Sequence, residues 1–375
     1  MNSKIWLSSP HMGGNEQTYI KEAFDTNWIA PLGPNVSGFE NDLESYLNQN
    51  VHVACLASGT SAIHLALVQL GVTIGDEVIC QSMTFSASAN PIKYQGANPI
   101  FVDSEIDTWN MCPIHLEAAI KDRVANGTKP KAIIIVHLYG MPAKISELRA
   151  IANKYEIPIV EDAAEALGST YKGVKCGTFG DYSILSFNGN KIITTSGGGA
   201  MVCNTKEKKE NTIFLATQAR DQAPHYEHSQ IGFNYRMSNI CAGIGRGQME
   251  VLDKHIALRQ NMNVFYKNLF NDIDGINVFQ EYNKDIVSNH WLSCIVFSDK
   301  APFSKDEFYN KMLEDNIETR PLWKPMHLQP IFKNAPYYGA KVSETLFKNG
   351  LCLPSGSNLS DADRVRITNV VKNLI

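Results

Sequence analysis

The sequence predicts an α/β fold, a mainly parallel seven-stranded sheet followed by a smaller C-terminal α+β unit, and two observations carry that prediction. Over the first 240 residues seven short apolar runs alternate with stretches of helical pattern. Strands buried on both faces read as continuous apolar runs, and their alternation with helices signals parallel crossover units. Near Met237 the pattern changes to apolar residues three or four positions apart (Met249, Leu252, Ile256), as on a buried helix face.

Taken in order, 51–56 reads as the first strand and 61–70 as a helix closed by Gly71. Strands at 77–80, 99–103 and 132–137 follow. A helix over 145–155 leads into the strand 157–160, and 183–187 and 199–203 complete the sheet. Residues 238–271 are expected to be helical in long segments. Beyond them come strands at 291–297 and 318–320, a helix at 305–315 and a terminal helix from Ala362. The division falls at about 240, giving a large domain over 1–240 and a small one over 241–375.

With 375 residues, 44% of them hydrophobic and 19% charged, the chain can bury a large core without covalent staples. A net charge of −4 and the lack of a dense Lys/Arg stripe ask for neither nucleic acid nor an anionic membrane. Lys206, Lys208 and Lys209 are interleaved with Glu207 and Glu210 and read as a solvated face. None of the eight cysteines lies in a C-x-x-C pair, which suits reduced, buried thiols. No stretch resembles a signal peptide or approaches about 18 uninterrupted apolar residues. A soluble, cytoplasmic protein is expected.

Three segments can carry chemistry. Leu56-Ala57-Ser58-Gly59-Thr60-Ser61-Ala62 joins a strand to a helix, and small hydroxyl residues at a helix N-terminus leave amides free to bind a phosphate. The same segment read alone is equally an ordinary N-cap. Glu161-Asp162 ends a buried strand at the edge where open α/β sheets bind ligands. A carboxylate there needs a positive partner, such as a protonated pyridine nitrogen, unless it merely caps the next helix. Ser186-Phe187-Asn188-Gly189-Asn190-Lys191 leaves a strand through a tight turn and presents one lysine beside apolar residues, as a Schiff-base lysine would be presented. An anion-binding turn, a strand-end Asp and a strand-end Ser and Lys, in that order, argue together for one cofactor site.

At this point the chain resembles the sugar aminotransferases of the DegT type, among the pyridoxal 5′-phosphate (PLP) enzymes of fold type I, the aspartate aminotransferase fold. The likeness runs from Leu7-Ser8-Ser9-Pro10 to Leu353-Pro354-Ser355-Gly356. It is most specific in Asn188-Gly189-Asn190-Lys191-Ile192-Ile193 and in Arg320-Pro321-Leu322-Trp323-Lys324-Pro325-Met326-His327. The resemblance implies Lys191 as the Schiff-base residue and Asp162 as the partner of the pyridinium nitrogen. Glu165 would lie near the ring's phenolic oxygen, where relatives often carry Gln or His, and Phe85 would stack on the ring. Gly59, Thr60, Ser61 and Ser186 would hold the phosphate. Asn234 would reach the cofactor of a neighbouring subunit, which implies a homodimer with composite sites.

His225, Tyr226, Trp323, Lys324 and His327 look like nucleotide-sugar contacts. Arg236 would face a diphosphate or the donor's carboxylate, or form a structural ion pair. His225 and His228 have metal-like spacing, but no Cys or carboxylate completes a set, and no metal is expected. Within the family the likeness is to the bacillosamine branch. It implies L-glutamate as donor and a UDP-2-acetamido-2,6-dideoxy-4-hexulose as acceptor, serving bacillosamine or legionaminic acid synthesis. The alternatives are a dTDP or GDP sugar, or carbon 3.

Rival readings find less support. Gly243-Ile244-Gly245-Arg246-Gly247 sits in a helical pattern with no strand before it, unlike a dinucleotide fingerprint. No G-x-S-x-G is present. A sugar dehydratase of the same fold would carry His in place of Lys191, and a regulatory relative would be expected to lose Lys191 or Asp162.

Overall fold

Seven longer strands form the body of an eight-stranded sheet in the computed structural model, which describes residues 2–375. They are β1 (His52–Leu56), β2 (Glu77–Gln81), β3 (Asn98–Val102), β4 (Ala132–Val136), β5 (Ile159–Asp162), β6 (Tyr182–Ser186) and β7 (Gly199–Cys203). Across the sheet they run β1-β7-β6-β5-β4-β2-β3. The five from β6 to β3 are parallel, whereas β7 is antiparallel to both neighbours. An eighth strand of two residues, Tyr337–Tyr338, lies parallel against the outer edge of β3. It is held by Phe101 N–H donating to Pro336 O (2.9 Å) and Asp103 N–H to Tyr338 O (3.0 Å). The Asp103 carboxylate fastens the chain beyond it by accepting from the amides of Ala340, Val342 and Ser343.

Alternate strand residues feed two cores, as the period of a strand requires. Ile79, Ile133, Ile135 and Ile159 pack on one face with Leu116, Ile120 and Leu148 of two covering helices. Val78, Cys80, Ile134, Val160 and Ile184 pack on the other, with Leu65 of α1 (Gly59–Gln69) and Ile92 of α2 (Ser86–Tyr94). Each such side chain contributes about 1.5–3 kcal/mol on burial.

The later part of the chain forms an antiparallel sheet from Ile276–Val278, Ser293–Phe297, Gly350–Leu353 and Arg320–Pro321. The expected helical stretch is two helices, Asn239–Met249 and α3 (Leu252–Phe270). Met262, Tyr266 and Phe270 of α3 pack over this sheet with Phe308, Met312 and Ile367. Near the chain's start Ile5 bridges to Ile317. Among the described residues no helix is long and apolar enough to cross a membrane.

Candidate active site

β4 and β5 end in register, Val136 opposite Asp162, and β6 continues from Ile184, opposite Asp162, to Ser186. Parallel strands bring their carboxyl ends to one edge, where a crevice opens. That crevice is a cavity of about 320 Å³.

One wall is the turn into α1. The Ser58 side chain caps the helix, accepting from Ser61 N–H at 3.0 Å, with the two hydroxyls 2.7 Å apart. Ser61 is thereby engaged in the cap, and Ser58, Gly59 and Thr60 line the cavity. The amides of Gly59 and Thr60 have no partner among the described residues, so the dipole end of α1 presents two free donors. Gly199, opposite both Leu56 and Ser186 in the sheet, lets the turn approach this closely. A Cβ there would lie 2.3 Å from Gly59 N and 2.4 Å from Ser58 C.

The two strand-end carboxylates point to opposite faces. Glu161 is wholly buried and accepts from Gly177, Phe179 and Gly180 N–H, Ser183 Oγ and His137 Nε2, at 2.6–2.9 Å. His137, Glu161 and Cys176 bring three metal-capable atoms within 4.8 Å of one another. However, the carboxylate is already saturated, and His137 Nδ1 accepts from Ala143 N–H. Asp162 instead lines the cavity. Ser88 of α2 donates to it at 2.6 Å, Ala164 N–H at 3.1 Å, and the Ser88 hydroxyl lies 2.8 Å from that of Thr84. Phe85, at the start of α2, exposes 58% of its surface at the cavity wall.

Lys191 enters the same space. Its Nζ lies 3.3 Å from Glu165 Oε1 and 4.1 Å from the centre of the Trp291 ring. Trp291 donates its indole N–H to Asn190 O at 2.7 Å, bracing the lysine turn. Glu165 also accepts from Tyr139 N–H at 2.7 Å. Tyr139 is buried with φ +56°, in the left-handed region, and its hydroxyl accepts from Trp323 N–H at 2.8 Å. Such a backbone persists only where its surroundings over-determine it.

Burial pushes the Glu165 carboxyl above its ordinary 4.5, outweighing Lys191 and the Tyr139 amide, which act to lower it. A folded-state pKa raised in this way contributes stability that is complete below the unfolded value and is lost as pH rises through the folded one. Glu165→Gln cannot titrate, so in cofactor-free protein its melting temperature should gain on that of the wild type as pH climbs above about 4.5. A melting-temperature difference that stays constant with pH would contradict this.

Of the other residues singled out from sequence, Ser186 and Trp323 line the cavity. Arg236 lies off it, paired with Glu40 at 2.6 Å and bonded to Cys55 O at 2.8 Å, the structural arrangement among the alternatives. His327 is also off it, bonded to Ser82 Oγ at 2.7 Å and stacked on Tyr337. Lys324 is exposed. His225 pairs with Glu227, Tyr226 is 79% exposed, and Asn234 bridges to Thr217, all away from this wall. Sequence reading missed Ser58, Thr84, Ser88, Tyr139 and Trp291. Only Ser58, inside the quoted turn, carried a local signal.

With this geometry in hand, comparison with known proteins is informative. The profile of the DegT/DnrJ/EryC1/StrS aminotransferase family matches residues 10–372. The chain is 50% identical to EpsN of Bacillus subtilis (strain 168), provisionally named a pyridoxal phosphate-dependent aminotransferase, over all of this chain and 96% of that one. It is 38% identical to the GDP-perosamine synthase of Escherichia coli O157:H7 over 97% and 96%. It is 32% identical to the UDP-2-acetamido-2-deoxy-3-oxo-D-glucuronate aminotransferase of Pseudomonas aeruginosa over 84% and 93%. Among solved structures, a DegT DnrJ EryC1 StrS aminotransferase from Brucella abortus superposes with a TM-score of 0.89 at 30% identity, covering 96% and 95%. The PLP form of Spr1654 from Streptococcus pneumoniae, provisionally a sugar aminotransferase, gives 0.88 at 26% identity, with full coverage of both chains.

Proposed function

This chain belongs to the DegT/DnrJ/EryC1/StrS aminotransferase family, and from that premise we propose that it moves the amino group of L-glutamate to carbon 4 of a UDP-2-acetamido-2,6-dideoxy-4-hexulose, with Lys191 as the cofactor-holding residue. It is a PLP-dependent sugar aminotransferase; the acceptor, the donor and the residue roles are the proposal. The observation that carries it is the meeting of Lys191, Asp162 and the start of α1 on one cavity.

The residues fit the cofactor. The free amides of Gly59 and Thr60, beside the Ser186 hydroxyl, suit a phosphate dianion. The open face of Phe85 suits an aromatic ring. Asp162, held by Ser88 and Ala164, suits a ring nitrogen that must keep its proton. When bound, PLP supplies an electron sink for the donor's α-carbon and carries the amino group between substrates.

The chain's own groups do the rest. Lys191 Nζ serves as base toward the donor's α-hydrogen and as acid toward the sugar carbon that receives the amine. The sugar face turned toward Nζ sets the configuration there. Glu165 and the Trp291 ring keep the amine on its path, and the fixed charge of Asp162 acts without reorganising at the moment of reaction. Trp323 lines the cavity and offers its ring to the nucleotide sugar, with Lys324 and His327 further along the same segment. Asn234, His225 and Tyr226 would serve the cavity of a second copy in a homodimer.

One specific observation favours a second reading: the 38% identity to a GDP-perosamine synthase supports a GDP-linked acceptor. The test is incubation with L-glutamate and UDP-, GDP- and dTDP-linked keto sugars, with products identified by NMR. The UDP-linked 2-acetamido-4-ketose should be consumed fastest, with nitrogen appearing on carbon 4. Preference for the GDP sugar, or nitrogen on carbon 3, would displace this assignment.

A further inference from the structure

Arg259 of α3 is only 1% exposed, and among the described residues no carboxylate is paired with it. Burial alone acts on its guanidinium, lowering the pKa to about 9. Its hydrogen bonds go to uncharged oxygens: Nη1 to the carbonyls of Trp291 (2.7 Å) and Ser355 (3.2 Å), and Nη2 to the Ser8 hydroxyl (3.0 Å) and the carbonyl of Lys191 (3.4 Å). The Nε has no partner. Burying a cation costs several kcal/mol when no opposite charge offsets it, and hydrogen bonds to uncharged oxygens recover only part of that cost. Retention of a charge here therefore calls for a gain that offsets the remainder.

The partners indicate that gain. Arg259 holds the lysine turn directly, at the carbonyl of Lys191 itself. It also holds the carbonyl of Trp291, whose indole N–H is bonded to Asn190 O and whose ring lies under Lys191 Nζ. Both supports of the lysine side chain, its backbone and the aromatic floor beneath it, are thus tied to one guanidinium. A planar fork of five donors can hold oxygens from several chain segments in fixed directions, whereas an ammonium group cannot.

We propose that Arg259 is a positioning residue: by fixing the carbonyls of Lys191 and Trp291 it fixes the direction in which Lys191 Nζ enters the cavity. The proposal rests on the reading of Lys191 as the cofactor-holding residue, and its test separates the two. Arg259→Met removes fork and charge but keeps bulk, while Arg259→Lys keeps the charge and removes the fork. Cofactor-free protein is mixed with PLP and quenched with borohydride over time. The reducible C=N linkage, formed from amine and aldehyde with release of one water, is mapped by peptide mass. Visible circular dichroism of the loaded protein reports how the bound chromophore is oriented.

In the wild type the linkage should map to Lys191. In both variants it should form roughly ten- to a hundredfold more slowly, as expected when a reacting group is displaced by about an ångström, and with a weaker visible band. Far-UV dichroism should be unchanged; Arg259→Met leaves the carbonyls of Trp291 and Ser355 without this donor and should melt lower, so the linkage rate and the visible band, which a merely structural role would not move, decide. A linkage mapping elsewhere in the wild type refutes the reading of Lys191 and this proposal with it. A linkage at Lys191 that forms in the variants at the wild-type rate, with an unaltered visible band, overturns the positioning role alone. If Arg259→Met does not fold, Arg259→Lys decides by the same two readouts.

Discussion

Replacing Lys191 with alanine is expected to abolish transamination for practical purposes, a loss of roughly 10⁴-fold or more, because on the proposed assignment one amine would both hold the cofactor and move the proton. The fold should survive. The side chain is 11% exposed and its one ion pair is to Glu165. Losing it takes away the opposing charge that holds the Glu165 carboxyl down, so that group should simply take up a proton more readily. Release of 2-oxoglutarate from L-glutamate measures the loss, and the visible absorbance of lysine-bound PLP should vanish with it. An alanine variant that keeps a tenth or more of the wild-type rate would remove Lys191 from the mechanism.

Asp162→Asn is the second large effect. The substitution keeps the shape, turns one of the two accepting oxygens into an amide donor, and deletes the charge that the proposal sets against the ring nitrogen. A cost of roughly 10²- to 10³-fold in turnover follows, the scale seen when one preorganised electrostatic group is removed. That corresponds to about 3–4 kcal/mol of transition-state stabilisation. Ser88→Ala should cost much less, since the charge stays and only its 2.6 Å anchor is lost. Steady-state rates at saturating L-glutamate separate the two. If Asp162→Asn works at the wild-type rate, the charge that matters lies elsewhere in the cavity.

The strands of the large sheet were legible because being buried on both faces leaves them as apolar runs, as in Ala132–Val136 and Gly199–Cys203. The helix Ser86–Tyr94 was not, since it opens on serines and contains Pro91. Tyr337–Tyr338 is too short for any periodicity to register. In the site, Lys191 and Asp162 could be singled out from local motifs because Asp162 ends a strand and Lys191 lies in the turn just beyond one. Trp291 and Arg259 could not. They lie 101 and 68 residues from their contacts on the lysine turn, and both look like ordinary helix or strand residues until the chain folds. Arg236 could not be decided from sequence: its residue type allowed an anion contact or a structural ion pair, and only the fold brings Glu40, 196 residues away, against it.

The short strand Tyr337–Tyr338 has a consequence for how the chain is made. Synthesis runs from the N-terminus, so β3 emerges from the ribosome more than two hundred residues before the segment that covers its edge. Until then the nascent sheet carries an unpaired flank able to add a foreign strand. Chains that stop short of residue 337 would keep that flank for good, and they should be recovered as aggregates or bound to chaperones.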